Sequence, residues 1–168
     1  IDEHVPTPVR DSSKEPIMLV ARSFDINKPG ITPEKLVGGV LGGSLKRGIL
    51  KVDDIIEIRP GRTVIEKNQQ VWKSLTTKIT SLNAGGSNLE SVGPGGSIGI
   101  LTSLDPSVVK SDQLTGSLVG MPNKLPKVWN ELILDIHLLQ RVVGTKEELN
   151  VEPIKIGETL MLNVNSAA

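Results

Sequence analysis

The chain has no cysteine and no tyrosine, one phenylalanine, two tryptophans and two histidines among its 168 residues. Without cysteine there is neither a disulfide framework nor a thiolate metal site, and the expected compartment is the cytoplasm. With so few rings there are no aromatic platforms on which successive bases stack, so the core has to be aliphatic. No apolar run approaches the roughly 18 to 20 residues that span a bilayer, and Ile1-Asp2-Glu3-His4 carries no basic-then-apolar leader, so no membrane partner is expected. His4 and His137 are the only imidazoles, one near the start of the chain and one on an expected strand. Neither a hydrolytic triad nor a zinc site can be assembled from them, so no catalytic residue, no metal ligand and no enzyme activity is expected of this chain. Acidic and basic residues balance at 19 each. Their distribution is uneven: between Arg22 and Lys78 eleven Lys and Arg face six Asp and Glu, a local balance of +5.

Glycine, by contrast, is plentiful, with 17 residues, and it is concentrated between Val37 and Gly48. Glycine repeated inside strand-like runs marks bends, bulges or places where another backbone or a ligand comes close. Ile17-Met18-Leu19-Val20-Ala21-Arg22-Ser23-Phe24-Asp25 reads as a first strand, followed by a loop that Pro29, Gly30 and Pro33 impose. The glycine stretch supplies the next strands, Asp53-Asp54 a turn, and Ile56 and Ile58 a strand that Pro60-Gly61 is expected to stop. A hairpin with an exposed tip follows over residues 61–72, then a Thr-rich strand over 74–82 and a turn at Asn83-Ala84-Gly85-Gly86. The corner Gly93-Pro94-Gly95-Gly96 runs into a strand at Ile98. A last strand over 114–119 would close the barrel. Short strands at near-regular spacing with Gly and Pro between them indicate an all-β fold built on a small antiparallel barrel.

The organisation expected is a Pro-rich linker over residues 1–16, a barrel domain over 17–122 and, after a second Pro-bracketed linker, the incomplete beginning of another barrel over 126–168. Leu132, Leu134, Ile136 and Leu138 would share one face of its first strand, with Asp135 and His137 on the other. A charged helical turn is expected at 145–149.

Three nucleotide-binding patterns fail on inspection. Gly43-Ser44-Leu45-Lys46-Arg47-Gly48-Ile49-Leu50 has the glycine spacing of a phosphate loop, but Ile49 and Leu50 replace the residues that touch phosphate and magnesium. Asn123-Lys124-Leu125-Pro126 puts proline where a guanine-binding carboxylate belongs. Gly93-Pro94-Gly95-Gly96-Ser97-Ile98 lacks the third glycine of a dinucleotide fingerprint.

The order of residues from Gly38 to Ile58 resembles the second domain of the translation GTPases, the barrel of elongation factor Tu. Arg22-Ser23-Phe24-Asp25-Ile26-Asn27-Lys28-Pro29-Gly30 and Leu138-Leu139-Gln140-Arg141-Val142-Val143-Gly144 are similar to the gamma subunit of archaeal and eukaryotic translation initiation factor 2. The resemblance covers nearly the whole chain and implies a second domain plus the start of a third, with the GTPase domain absent. It implies binding of the aminoacyl acceptor end of initiator methionyl-tRNA by Arg22, Lys28, Gly38, Gly39, Val40, Leu82, Asn83, Ala84 and Gly85. It also implies docking of the alpha subunit, for which exposure and polarity point to Asn27, Lys28, Pro29 and Gly30 in one loop and Gly61, Arg62, Glu66, Lys67 and Asn68 in the hairpin. No cofactor is expected in this chain, since GTP and magnesium would belong to the missing domain, through which alone the beta subunit would connect; the small ribosomal subunit is a further implied partner. The alternatives are the barrel of an elongation or selenocysteine-specific factor, or a barrel that only braces its neighbours.

Overall fold

The structure, a computed structural model, describes residues 4, 9–129, 131–139 and 151–164. The chain divides into two units, one of Ile1–Val128 with Asn163–Ala168 and one of Trp129–Leu162. Among the described residues of the first, nine strands run in chain order: β1 (Ile17–Phe24), β2 (Val40–Arg47), β3 (Leu50–Lys51), β4 (Ile55–Glu66), β5 (Gln69–Ala84), β6 (Ser87–Leu89), β7 (Ser91–Val92), β8 (Ile98–Thr102) and β9 (Leu118–Gly120). A one-turn helix α1 (Pro106–Val109) and two 3₁₀ turns, Pro33–Lys35 and Lys110–Asp112, complete it.

The ladder order is β4-β9-β1-β2-β8-β5, and β4 also pairs with β5, so six antiparallel strands close into a barrel. The all-β antiparallel barrel expected from the spacing of Gly and Pro is therefore observed. Closure removes the unpaired edges that an open sheet of this length would expose. The interior is aliphatic, as the shortage of rings requires: Met18, Val20, Leu41, Ile56, Ile79 and Ile100 are fully buried. Two bulges reset the alternation. Ala21 is the extra residue between Val20↔Gly43 and Arg22↔Gly42, so Val20 and Ser23 both face inward. Thr80 does the same in β5, burying Ile79 and Leu82 three residues apart.

The boundaries depart from expectation at three places. Pro60-Gly61 does not end the strand: β4 continues to Glu66, bending where Gly61 takes φ +84° and where a Cβ would lie 2.0 Å from the Lys73 carbonyl oxygen. Beyond this bend β4 and β5 form a two-stranded arm whose tip, Lys67-Asn68, has left-handed φ values of 50° and 61°. The closing strand begins at Leu118 rather than Leu114. Residues 114–117 are held as a turn on β1 by Leu114 N donating to Ser23 Oγ (3.0 Å), Gly116 N to Val20 O (2.9 Å) and Val20 N to Ser117 O (3.0 Å). Helix α1, not expected, has a legible start: the Asp105 carboxylate caps it by accepting from Ser107 N (2.8 Å), with Pro106 next in line.

Residues 11–16 do not hang free as a tether would. Asp11 O accepts from Gly48 N (2.9 Å), Glu15 O from Arg47 Nε (3.2 Å), and Pro16 is buried. At the other end Glu57, 5% exposed, accepts from Arg59 Nε (2.6 Å) and Asn123 N (2.8 Å), and Arg59 also donates to the carbonyls of Leu125 (2.9 Å) and Pro126 (3.1 Å). Burial pushes the Glu57 carboxyl up, but the Arg59 and Asn123 donors outweigh it and hold it below the usual carboxylate range.

In the second unit, residues 131–139 form no strand: they find no ladder partner among the described residues, and Leu132, Leu134 and Ile136 are exposed. An apolar face needs an opposing surface before extended chain becomes sheet. Residues 155–158 form a turn around Gly157, closed by Glu158 N donating to Lys155 O (3.2 Å). The helical turn expected at 145–149 and residues 1–3 and 5–8 of the linker lie outside the described residues.

Candidate nucleic-acid interface

Four strands present one cross-strand row on the outside of the barrel. Arg22 of β1 pairs with Gly42 of β2, Gly42 with Gly99 of β8, and Gly99 with Asn83 of β5. With strands about 4.8 Å apart, the row spans about 14 Å from Arg22 to Asn83, and its middle carries no side chain. The flanks are polar and anchored. Asn83 Nδ2 donates to Asn88 Oδ1 (3.3 Å), and Arg22 Nε donates to both carboxylate oxygens of Asp112 (2.9 and 3.0 Å). That hydrogen bond and the charge of Asp112 raise the Arg22 pKa further above its ordinary value, so it stays cationic.

The glycines of the molecule fall into two kinds. A Cβ on Gly38 would lie 1.8 Å from the Thr102 carbonyl oxygen, one on Gly39 2.3 Å from Val109 Cγ2, and one on Gly43 1.9 Å from the Leu19 carbonyl oxygen. These glycines are required by the protein's own packing. On Gly42 the nearest atom would be Arg22 Cβ at 3.8 Å, and on Gly99 the Asn83 carbonyl oxygen at 3.9 Å. Neither has a positive φ. The fold leaves room for side chains at Gly42 and Gly99, and the sequence does not use it. Beside this shelf lies a mostly apolar groove of about 430 Å³ lined by Leu19, Phe24, Gly42, Gly43 and Ile98, with Arg22 and Lys46 contributing positive charge.

The structure sorts the residues expected at the acceptor-end site. Arg22 and Asn83 share the row; Val40, half-buried, sits in the next row opposite Leu101; Gly85 is at the open tip of the β5–β6 hairpin with φ +60°. A Cβ on Gly38 or Gly39 would collide with packed atoms, Leu82 is fully buried and Ala84 packs against the core, so these four do not join the row; Gly38 lines a separate hollow with Leu36, Val37 and Thr80. Lys28 is exposed in the loop after β1. Gly42, Gly99, Lys46 and Asp112 were not anticipated. Ile98-Gly99-Ile100 did carry a signal: a glycine between two inward-facing isoleucines must face out.

Of the residues expected to dock a protein, Asn27 turns inward: it accepts from Val37 N (2.9 Å) and donates to Val37 O (2.8 Å), clamping the loop that carries Lys28, Pro29 and Gly30. Arg62 and Gly61 line a cleft of about 380 Å³ with Trp72, Ser107 and Gln113 at the base of the arm. Glu66 is ion-paired to Lys73, and Lys67 and Asn68 form the exposed tip. No cluster of three metal-binding side chains occurs among the described residues. Asp54 serves its turn by accepting from Lys51 N (2.8 Å). No helix among the described residues is long and apolar enough to cross a membrane.

The family model for "Initiation factor eIF2 gamma, C terminal" matches residues 130–168. Over 99% of its length the chain is 59% identical to translation initiation factor 2 subunit gamma of Pyrococcus furiosus. It belongs to the translation initiation factor 2 gamma family. It is likewise 57% identical to the gamma subunit of Thermococcus kodakarensis and 55% to that of Methanocaldococcus jannaschii, each over 99% of the chain. It spans 41% of the length of these relatives, so it corresponds to part of a gamma subunit. The barrel is thus that of a translation initiation factor domain.

Proposed function

We propose that the outer face of this barrel holds the acceptor end of initiator methionyl-tRNA, and that the 27–30 loop and the β4–β5 arm dock the alpha subunit of the same factor, with no catalysis by this chain. The observation that carries it is the row Arg22–Gly42–Gly99–Asn83: glycines the fold does not need, between a cation and an amide. A bare backbone lets a terminal nucleotide lie flat against the sheet, with Asn83 offering hydrogen bonds to a base or ribose and Arg22 and Lys46 countering phosphate. Because few rings are present, this contact relies on backbone approach rather than stacking. In the whole factor, GTP and magnesium would sit in the nucleotide-binding domain, the beta subunit would join through that domain, and the assembly would act on the small ribosomal subunit in the cytoplasm.

The test is titration of the chain with a methionyl-esterified RNA minihelix and, separately, with purified alpha subunit. Saturable RNA binding that Arg22→Ala weakens roughly tenfold supports the acceptor-end site. Alpha-subunit binding lost on shortening residues 62–72 supports the arm. A folded chain that binds neither would be a bracing barrel.

A further inference from the structure

Arg22 is held in an unusual way. Only its Nε is engaged, by both oxygens of Asp112, and its two terminal amino groups bond to no other described residue. Asp112 is itself fixed from several sides. Its Oδ1 accepts from Ser23 N (2.9 Å), its carbonyl accepts from Thr115 N (3.0 Å), and the turn that follows is fastened to β1 through Ser23 Oγ and the Val20 carbonyl. Ser111 and Asp112 take left-handed φ values of 55° and 59°, which bring the chain 90 positions away back onto Arg22. The Arg22 hydrogen bond and the Ser23 N–H keep the Asp112 carboxyl below its usual range, so the pair is ionised at neutral pH.

A free arginine on a strand surface samples many rotamers, and ordering it on binding costs free energy. An arginine clamped at Nε by a fixed carboxylate is already ordered, and it keeps four N–H donors for a second anion. Here those donors border the glycine shelf and the groove that Lys46 also lines. We infer that Asp112 is a positioning residue for RNA binding: it holds Arg22 by Nε so that both terminal amino groups meet a phosphate of an RNA 3′ end lying on the Gly42–Gly99 shelf.

This rests on the acceptor-end site proposed above and makes a prediction of opposite sign to simple electrostatics. Asp112→Asn keeps an oxygen for Ser23 N but loses the ion pair and leaves the chain one unit more positive. If Asp112 merely neutralised Arg22, the variant would bind RNA more tightly; as a positioning residue, its loss weakens binding of a CCA-ended methionyl minihelix roughly fivefold despite the added charge. In the Arg22→Ala background the same substitution changes affinity by less than about twofold, because Asp112 acts through Arg22. Arg22→Lys, which keeps the charge but cannot offer a fork while held at Nε, weakens binding about as much as Asp112→Asn and serves if that variant fails to fold. The Arg22 Nε–H resonance, sharp and slowly exchanging in the starting protein, broadens in Asp112→Asn. Unchanged or tighter binding by Asp112→Asn, or full affinity in Arg22→Lys, overturns the positioning role while leaving the site intact. Unchanged binding by Arg22→Ala overturns the site itself and the inference with it.

Discussion

Gly38, Gly39 and Gly43 stand within a few residues of Gly42, yet the two kinds are under opposite constraints. The first three are filled by the Thr102 carbonyl, the Val109 side chain and the Leu19 carbonyl, whereas a Cβ on Gly42 or its cross-strand neighbour Gly99 would meet only ordinary contacts. The difference teaches that a glycine-rich strand is not one signal but two. One set of glycines lets the barrel close on itself, and the other leaves a surface bare for something else.

Breaking the first set has the largest expected effect. Gly38→Ala drives a methyl group into backbone, which cannot move aside, and is expected to cost about 3 kcal/mol or more, read as a lower urea midpoint. Gly42→Leu sets the opposite expectation. Its stability stays within about 1 kcal/mol of the starting protein, since the nearest atom to the added Cβ is in ordinary contact. Its affinity for the methionyl minihelix falls roughly tenfold, because a side chain now stands where the RNA backbone would lie. If Gly42→Leu unfolds the chain, or leaves RNA binding intact, the distinction between the two kinds of glycine fails.

A smaller and separate effect sharpens the contrast from the packing side. The Glu57 carboxyl has a folded pKa below its ordinary 4.5, so its contribution to stability is fully present above that value and is lost as pH falls through the folded pKa. Glu57→Gln should lower stability at neutral pH by about 2 kcal/mol, by removing charge-assisted bonds to Arg59 and Asn123. It should also flatten the decline in thermal stability below about pH 4.5 while leaving RNA affinity at neutral pH unchanged. A variant with the same acid limb as the starting protein would remove Glu57 from this role.

The barrel was legible because its cues are local: short aliphatic runs, Asp53-Asp54 at a turn, Gly93-Pro94-Gly95-Gly96 at a corner. What could not be read depends on residues distant in sequence. The bulge at Thr80 carries Leu82 from an apparent surface corner into the core, and nothing near Leu82 announces it. Whether a glycine is filled or open is decided by what lies across from it: Thr102 stands 64 positions after Gly38. Asn27 looked like an exposed loop amide, but its partner Val37 is ten residues on. Asp112 gave no sign of its pairing with Arg22. The apolar face over 132–138 was visible in sequence, yet periodicity specifies only a face and not the surface that must cover it.

The ring is shut by three residues. β9 lies between β1 and β4, and those strands have been in existence for about a hundred and about sixty residues of synthesis, respectively, before Leu118–Gly120 is made. Until then both β1 and β4 carry a vacant row of amides and carbonyls, with Met18 and Ile58 only partly enclosed. A chain stalled before residue 118 is therefore a sticky, unsealed intermediate, and nascent-chain handling during translation matters most over that final interval.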